Sequence, residues 1–284
     1  MNDSPVVLIT GASRGIGAAT ARAFAKQGYS CALLANDSHS LRTVAAELQS
    51  SGARTMILEG DLTDLDFARD SVRRCHAEWG RLDVLVNNAA WREIVTMRQI
   101  ELESWEKTLR VCLTAPAFLA RWCAEIMEPV GRGVILNVSS IQSRFPSGLS
   151  PAYIAAKGGL DSLTYELATL YGPAGIRVLS VNPGAIDTEL SRNHGRSETD
   201  DALRSHVEDM IPLGRFGQPE EVASMLVLLA SQGASYLTGT CLDLDGGWHH
   251  QCTPYALKRA QLPGQFGEQL SERSGEPGKA RADA

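Results

Sequence analysis

Val6-Val7-Leu8-Ile9-Thr10-Gly11-Ala12-Ser13-Arg14-Gly15-Ile16-Gly17 is the stretch that decides the fold. Its first half is a run of apolar and β-branched residues without alternation, which marks a strand buried on both faces. Glycines at 11, 15 and 17 follow at once, and a helical period runs from Gly17 to Gln27. A strand, a glycine turn and a helix N-terminus in that order can cradle a phosphate. Glycine lets the backbone turn sharply and approach closely, while the helix start offers free N–H groups and a positive dipole end. The spacing is Gly-x3-Gly-x-Gly, which is neither the common Gly-x-Gly-x-x-Gly fingerprint nor a Walker A loop. The plain alternative is a tight turn that binds nothing.

Outward from that turn the pattern repeats. Strand-like runs at Val6–Thr10, Cys31–Ala35, Thr55–Leu58, Val84–Asn87, Val134–Val138, Val178–Asn182 and Thr240–Leu244 alternate with helical periods at Gly17–Gln27, Ser40–Ser51, Asp64–Trp79, Ser104–Met127, Ala152–Tyr171 and Pro219–Ala230. Gly28 and Gly52 sit where helices end, and Pro219 sits where one begins. Alternating βα units with right-handed crossovers predict a single α/β, Rossmann-like, doubly wound domain over residues 1–248 with a seven-stranded parallel sheet flanked by helices. Residues 188–217 read as a polar, irregular insertion placed where a substrate lid belongs. Residues 249–284 read as a polar C-terminal extension without hydrophobic periodicity, flexible or packed on a subunit.

Composition narrows the function. The 284-residue chain has ordinary apolar and charged fractions and a net charge of −6 spread along its length. There is no basic footprint for nucleic acid and no polybasic patch for a membrane surface. No apolar run is long enough to span a bilayer, and the N-terminal stretch lacks the features of a leader. The six cysteines form no CxxC pair, so they read as reduced, mostly structural thiols suited to a cytoplasmic protein. A metal site is not expected: His249, His250 and Cys252 are close in sequence, but adjacent histidines seldom converge and a fourth ligand is missing.

Further landmarks follow the glycine turn in order: Asp61-Leu62 after the third strand, Asn87-Asn88-Ala89-Ala90 after the fourth, Ser140, Tyr153-x3-Lys157, Pro183-Gly184-x3-Thr188 and Asp245-Gly246-Gly247. With these the chain, over roughly residues 5–248, resembles the classical short-chain dehydrogenase/reductase family. It is most similar to 3-oxoacyl-[acyl-carrier-protein] reductases and sugar or polyol dehydrogenases. The resemblance implies an NAD(P)(H)-dependent oxidoreductase that interconverts a carbonyl and a secondary alcohol by hydride transfer. It places the cofactor on Gly11, Ser13, Arg14, Gly15, Ile16, Gly17, Asn36, Asp61, Leu62, Asn88, Ala89, Tyr153, Lys157, Pro183, Gly184, Ile186 and Thr188. Within that set Asp61 would meet the adenine amine, Asn88 would support the adenosine half, and Ile186 and Thr188 would hold the carboxamide. Asp61 could instead cap the next helix, and Asn88 could be a buried turn amide.

NAD-specific relatives carry a carboxylate at the end of the second strand. Here that position is Ala35, followed by Asn36 and Asp37. Without the carboxylate a 2′-phosphate is not repelled, and Arg14 could reach it, so NADP(H) is preferred and NAD(H) remains open. Asp37 argues the other way.

Tyr153 and Lys157 are four apart in a helical segment, hence on one face. Hydride transfer to a carbonyl leaves an alkoxide that needs a proton, and a free phenol gives one up reluctantly at neutral pH. A lysine ammonium about 4 Å away, at an effective dielectric of about 20, favours the phenolate by about 4 kcal/mol. Ser140, at the carboxyl edge of the sheet, would donate to the substrate oxygen. Ser139 would then be a strand-end cap. Relatives carry an asparagine seven residues after the tryptophan of the long helix, and counting from Trp105 gives Cys112. A thiol lacks the amide's paired donor and acceptor, so the side-chain support of the helix bend there is expected to be lost. The main-chain carbonyl of Cys112 would still serve the relay.

Trp91, Arg92, Arg144, Phe145 and His194 fall on loops that resemble substrate-facing segments. The two arginines would either orient an anionic substrate or be solvated. Small residues on the catalytic helix (Ala155, Ala156, Gly158, Gly159) would permit close packing in a homotetramer, the usual family assembly. Two rivals remain: a sugar or polyol dehydrogenase on the same scaffold, and a dinucleotide-sensing regulator without turnover. Enoyl reduction calls for Tyr-x6-Lys and epimerisation for Gly-x2-Gly-x2-Gly, and neither spacing is present.

Overall fold

The computed structural model describes residues 4–188 and 198–266. Seven parallel strands form one sheet in the order β3-β2-β1-β4-β5-β6-β7. They are β1 Val6–Thr10, β2 Ser30–Ala35, β3 Thr55–Glu59, β4 Val84–Asn87, β5 Gly133–Val138, β6 Ile176–Pro183 and β7 Thr240–Leu244. Every strand is within two residues of its predicted bounds, because a strand covered on both faces leaves an uninterrupted apolar run. Alternate residues divide the core in two. Val7 and Ile9 join Phe24, Leu41, Leu48 and Leu226 on one face of the sheet. Val6 and Leu8 join Val72, Leu119, Met127 and Leu167 on the other.

The first face is covered by α1 (Gly15–Lys26), α2 (Ser38–Ser50) and α8 (Pro219–Ala230). The second is covered by α3 (Leu65–Trp79), α5 (Ala115–Met127) and α6 (Pro151–Tyr171), with α4 (Leu102–Leu109) packed against α6. Between α4 and α5 the predicted long helix passes through a π turn, Arg110–Thr114. Strand order reverses between β1 and β4, and such switch points open a crevice at the carboxyl ends of the strands.

Two expectations need correcting. The 188–217 insertion is not irregular throughout, since Glu198–Met210 forms a helix, α7. Likewise the extension after His249 is structured at its start, with a short helix α9, Tyr255–Gln261, seated on α7. The seat is polar. The buried carboxylate of Asp209 accepts from the Ala256 N–H at 2.9 Å and from Arg259 at 2.8 Å. Gln251 donates to the Asp209 carbonyl at 3.1 Å and accepts from Lys258. Residues 267–284 of the extension, and His194, lie outside the described residues.

Candidate functional site

A cleft of about 1470 Å³ opens at the switch point. Its floor is the turn that follows β1, and the glycines there are sterically required. Gly11 has φ +66°, and a Cβ on it would lie 2.9 Å from Asn88 Nδ2. A Cβ on Gly17 would lie 2.0 Å from the Gly11 carbonyl oxygen. Asn88 fastens the turn by donating to the carbonyls of Thr10 (2.9 Å) and Gly11 (3.2 Å), while Thr10 Oγ1 accepts from the N–H groups of Asn88 and Ala89. The buried-turn-amide reading of Asn88 therefore holds for its Nδ2. Helix α1 starts at the cleft with no side chain capping it and no acid in its first turn. Beyond Gly15 the first obstacle to a Cβ is the Thr188 methyl at 3.4 Å. An uncapped helix start behind glycine backbone, with open space in front, fits the pyrophosphate of a dinucleotide.

Of the residues predicted for the cofactor, Gly11, Ser13, Arg14, Gly15, Ile16, Asn36, Asp61, Leu62, Asn88, Ala89, Tyr153, Lys157, Pro183, Gly184, Ile186 and Thr188 line this one cleft. Gly17 does not line it and stands behind the turn. Asp61 does not cap the following helix: its carboxylate accepts from Thr63 N–H at 2.8 Å, and α3 is capped by Asp64. Ala35 and Asn36 line the cleft. Asp37 instead caps α2, accepting from the Ser40 N–H and hydroxyl, and these bonds hold its carboxyl below the usual range.

On the other side of the cleft α6 presents Tyr153 and Lys157. Lys157 is 2% exposed; its ammonium donates to the Val138 carbonyl at 2.6 Å and lies 5.5 Å from the centre of the Tyr153 ring. The two side chains share one helix face, as their spacing requires. Ser140 enters from the end of β5. Its hydroxyl oxygen accepts from the Gln142 N–H at 3.1 Å, which leaves the O–H to donate into the cleft. Ser139 is not a strand-end cap. It is buried and donates to the Lys157 carbonyl at 3.2 Å, which ties α6 to the end of β5; Ser140 is the residue that caps, at the short turn Ile141–Ser143.

Cys112 departs from expectation. It is fully buried in the π turn, where its thiol donates to the Trp91 carbonyl (3.3 Å) and accepts from the Trp91 N–H (3.4 Å). The paired donor and acceptor expected to be lost are present in sulfur form, and they join the π turn to the loop after β4.

The substrate loops divide. Trp91, Arg92 and Phe145 line the cleft, whereas Arg144 is ion-paired with Asp243. The α7 side chains Leu203, Val207 and Met210, with Phe216 and Trp248, close the opposite wall, and Gln142 and Lys107 complete the substrate end. Sequence reasoning missed all seven, although Leu203, Val207 and Met210 stand at i, i+4 and i+7, a helical period that could have found three of them. His249 bridges Asp243 (3.2 Å) and Asp245 (2.6 Å), and its ring lies 3.7 Å from that of His250. Among the described residues no three His, Cys, Asp or Glu side chains gather as metal ligands would.

Residues 11–249 match a family profile described as enoyl-(acyl carrier protein) reductase. The chain is 36% identical over 244 residues to the cis-4-hydroxycyclohexanecarboxylate dehydrogenase of Sinomonas cyclohexanicum, covering 86% of this chain and 96% of that protein. It is 35% identical over 251 residues to the L-rhamnose 1-dehydrogenase (NAD(P)(+)) of Sphingomonas sp. (strain SKA58), covering 87% and 97%. A crystal structure of a short-chain type dehydrogenase/reductase from Mycobacterium marinum superposes with a TM-score of 0.80 at 32% identity, covering 88% of this chain and 96% of that one. The chain belongs to the short-chain dehydrogenase/reductase family. It is an NAD(P)-dependent oxidoreductase of the alcohol–carbonyl class, as its family and the dehydrogenases among its relatives support.

Proposed function

We propose that this enzyme interconverts a secondary alcohol and its ketone with NADP(H), and that Tyr153 moves the proton. The carrying observation is the meeting of Tyr153, Lys157 and the Ser140 hydroxyl in the cleft that also contains the uncapped start of α1. When bound, the nicotinamide supplies or accepts the hydride. Gly11, Ser13, Gly15, Ile16, Leu62 and Ala89 would hold the dinucleotide along the carboxyl edge of the sheet. Ile186 and Thr188 would hold its carboxamide, with Pro183 and Gly184 turning the chain toward them. The Ser140 O–H donates to the substrate oxygen, so negative charge developing there meets a fixed donor. Tyr153 gives its phenolic proton to that oxygen in reduction and takes it back in oxidation. Lys157, buried beside the ring and donating to the Val138 carbonyl, is held next to Tyr153.

NADP(H) is preferred because the position at the end of β2 where NAD-specific relatives carry a carboxylate is apolar here. Ala35 occupies it, Asn36 is neutral, Asp37 is committed to the cap of α2, and Arg14 lines the same wall. NAD(H) remains usable by the same groups. The dehydrogenase relatives favour a cyclic or sugar alcohol over an acyl thioester as substrate. A homotetramer in the cytoplasm completes the proposal.

The test is a spectrophotometric screen of cyclic alcohols, sugars and ketones with each cofactor, run on the wild type and on Tyr153→Phe. The variant is expected to bind NADPH normally and to lose roughly 100-fold or more in kcat. Near-wild-type turnover would remove the mechanism, and a wild type faster with NAD(H) would reverse the cofactor preference.

A further inference from the structure

The substrate end of the cleft is positive in a protein whose net charge is −6. Arg92, Lys107 and Arg204 line it, and among the described lining residues the single carboxylate, Asp61, stands across the sheet at the end of β3. These cations are not equivalent. Arg204 is committed to Glu208 (3.1 Å), to Asp187 (3.5 Å) and to the Phe216 ring. Lys107 lies 4.6 Å from the centre of the Trp91 ring. Arg92 is half-buried, donates to Gln142 Oε1 at a long 3.4 Å, and stands 5.5 Å from the centre of the Tyr153 ring. Among the described residues neither Arg92 nor Lys107 has a carboxylate within 4.0 Å.

A guanidinium has five donors in a planar fork that matches a carboxylate in bidentate fashion. Arg92 holds such a fork, partly withdrawn from water, in a cleft that Lys107 also lines, and next to the Tyr153 ring that Lys157 also approaches. Like charges gathered in a cleft oppose one another until an anion arrives. Arg144, the other arginine of these loops, is neutralised by Asp243 and cannot serve. Since Arg92 and Tyr153 are neighbours, one small molecule can touch both.

We propose that Arg92 anchors a substrate carboxylate, with Lys107 adding charge, so that the enzyme selects hydroxy and oxo acids over neutral alcohols and ketones. This rests on the reaction and the Tyr153 site given under Proposed function, and names the substrate class of that site.

The experiment compares matched pairs on the full chain: 4-hydroxycyclohexanecarboxylate with its methyl ester, and gluconate with glucitol, each with both cofactors. For the wild type, kcat/KM for the acid should exceed that for its neutral partner by about tenfold or more at low salt, as a charge-assisted bidentate contact implies. Added KCl should shrink that advantage. Arg92→Gln should bring the acid-to-neutral ratio near one through KM, and Arg92→Lys should restore part of it. A wild type that favours the neutral partner overturns the proposal without any variant. So does an Arg92→Gln enzyme in which acid and neutral substrate fall by the same factor, because the arginine would then act on Tyr153 rather than on the substrate. Turnover of the neutral partners without an acid advantage defeats this inference alone, whereas no turnover of any pair with either cofactor defeats the reaction reading beneath it.

Discussion

Cys112 shows how far residue types carry an argument and where they stop. Its position, seven after Trp105, marks it as the member of the site that departs from the family pattern, and an inventory of donors and acceptors predicts a loss. The folded chain places the thiol against both polar groups of the Trp91 peptide. Sulfur bonds are long and directionally loose, so they are invisible until the loop after β4 and the π turn are seen together. Arg92 and Arg144 were equal candidates in the sequence for the same reason: Asp243, which neutralises one of them, is about a hundred residues away in the chain. By contrast, the shared face of Tyr153 and Lys157 follows from local helical periodicity, while the choice of Ser140 over Ser139 came from the family spacing. Replacing Cys112 with alanine would leave the Trp91 N–H and carbonyl without side-chain partners. Urea unfolding should show a loss of about 1–3 kcal/mol. An unchanged midpoint and slope would mean that water or a shifted loop replaces the thiol at no cost.

Among the elements, the strands and the six core-facing helices were readable because burial on one or both sides imposes a period. Helix α7 was not. Its apolar residues Leu203, Val207 and Met210 face the cleft, and they sit among Asp, Glu, Arg and Ser, so the segment reads as polar. Helix α9 was hidden for another reason, since polar bonds to Asp209 hold it where an apolar stripe would ordinarily do so. These bonds make Asp209 the tie between the extension and the wall of the cleft. Asp209→Ala should release α9 and loosen α7. Hydrogen exchange at the Ala256 amide is expected to accelerate, and KM to rise more than kcat falls. Exchange as slow as in the wild type would show that packing, not the carboxylate, seats the helix.

The whole molecule is one sheet with a core on either face, closed at the β7 edge by a polar knot. Asp245 accepts from the N–H groups of Gly247 and His249 and from the His249 ring. Burial opposes its ionisation, but these donors outweigh burial and hold the carboxyl below its ordinary value. A carboxyl that ionises more readily in the folded state stabilises the fold above its unfolded pKa of about 3.9 and ceases to do so as the pH falls through the lower folded value. The stability difference between wild type and Asp245→Asn in urea should therefore be largest near neutrality and shrink below about pH 4. A pH-independent difference would show that the loss is steric. Assembly belongs to this scale too. Of the small residues of α6, Ala156 is buried, Gly158 and Gly159 are half-buried and Ala155 is exposed. The apolar groups exposed on the outer faces of α5 and α6 are Phe118, Tyr165 and Leu170. Light scattering is expected to report four chain masses, and a Tyr165→Glu, Leu170→Glu double variant to lower that number. A wild type of one chain mass would end the tetramer proposal.

The seat of α9 has one more effect. The family match ends at residue 249, so Gln251, Ala256, Lys258 and Arg259 lie beyond it, yet they brace the helix that walls the cleft. Changes in this appended piece can reshape what the pocket admits while leaving every contacting side chain in place. Trimming the chain back to its family boundary, a natural step in preparing such an enzyme, would thus yield a protein with intact chemistry and altered tastes.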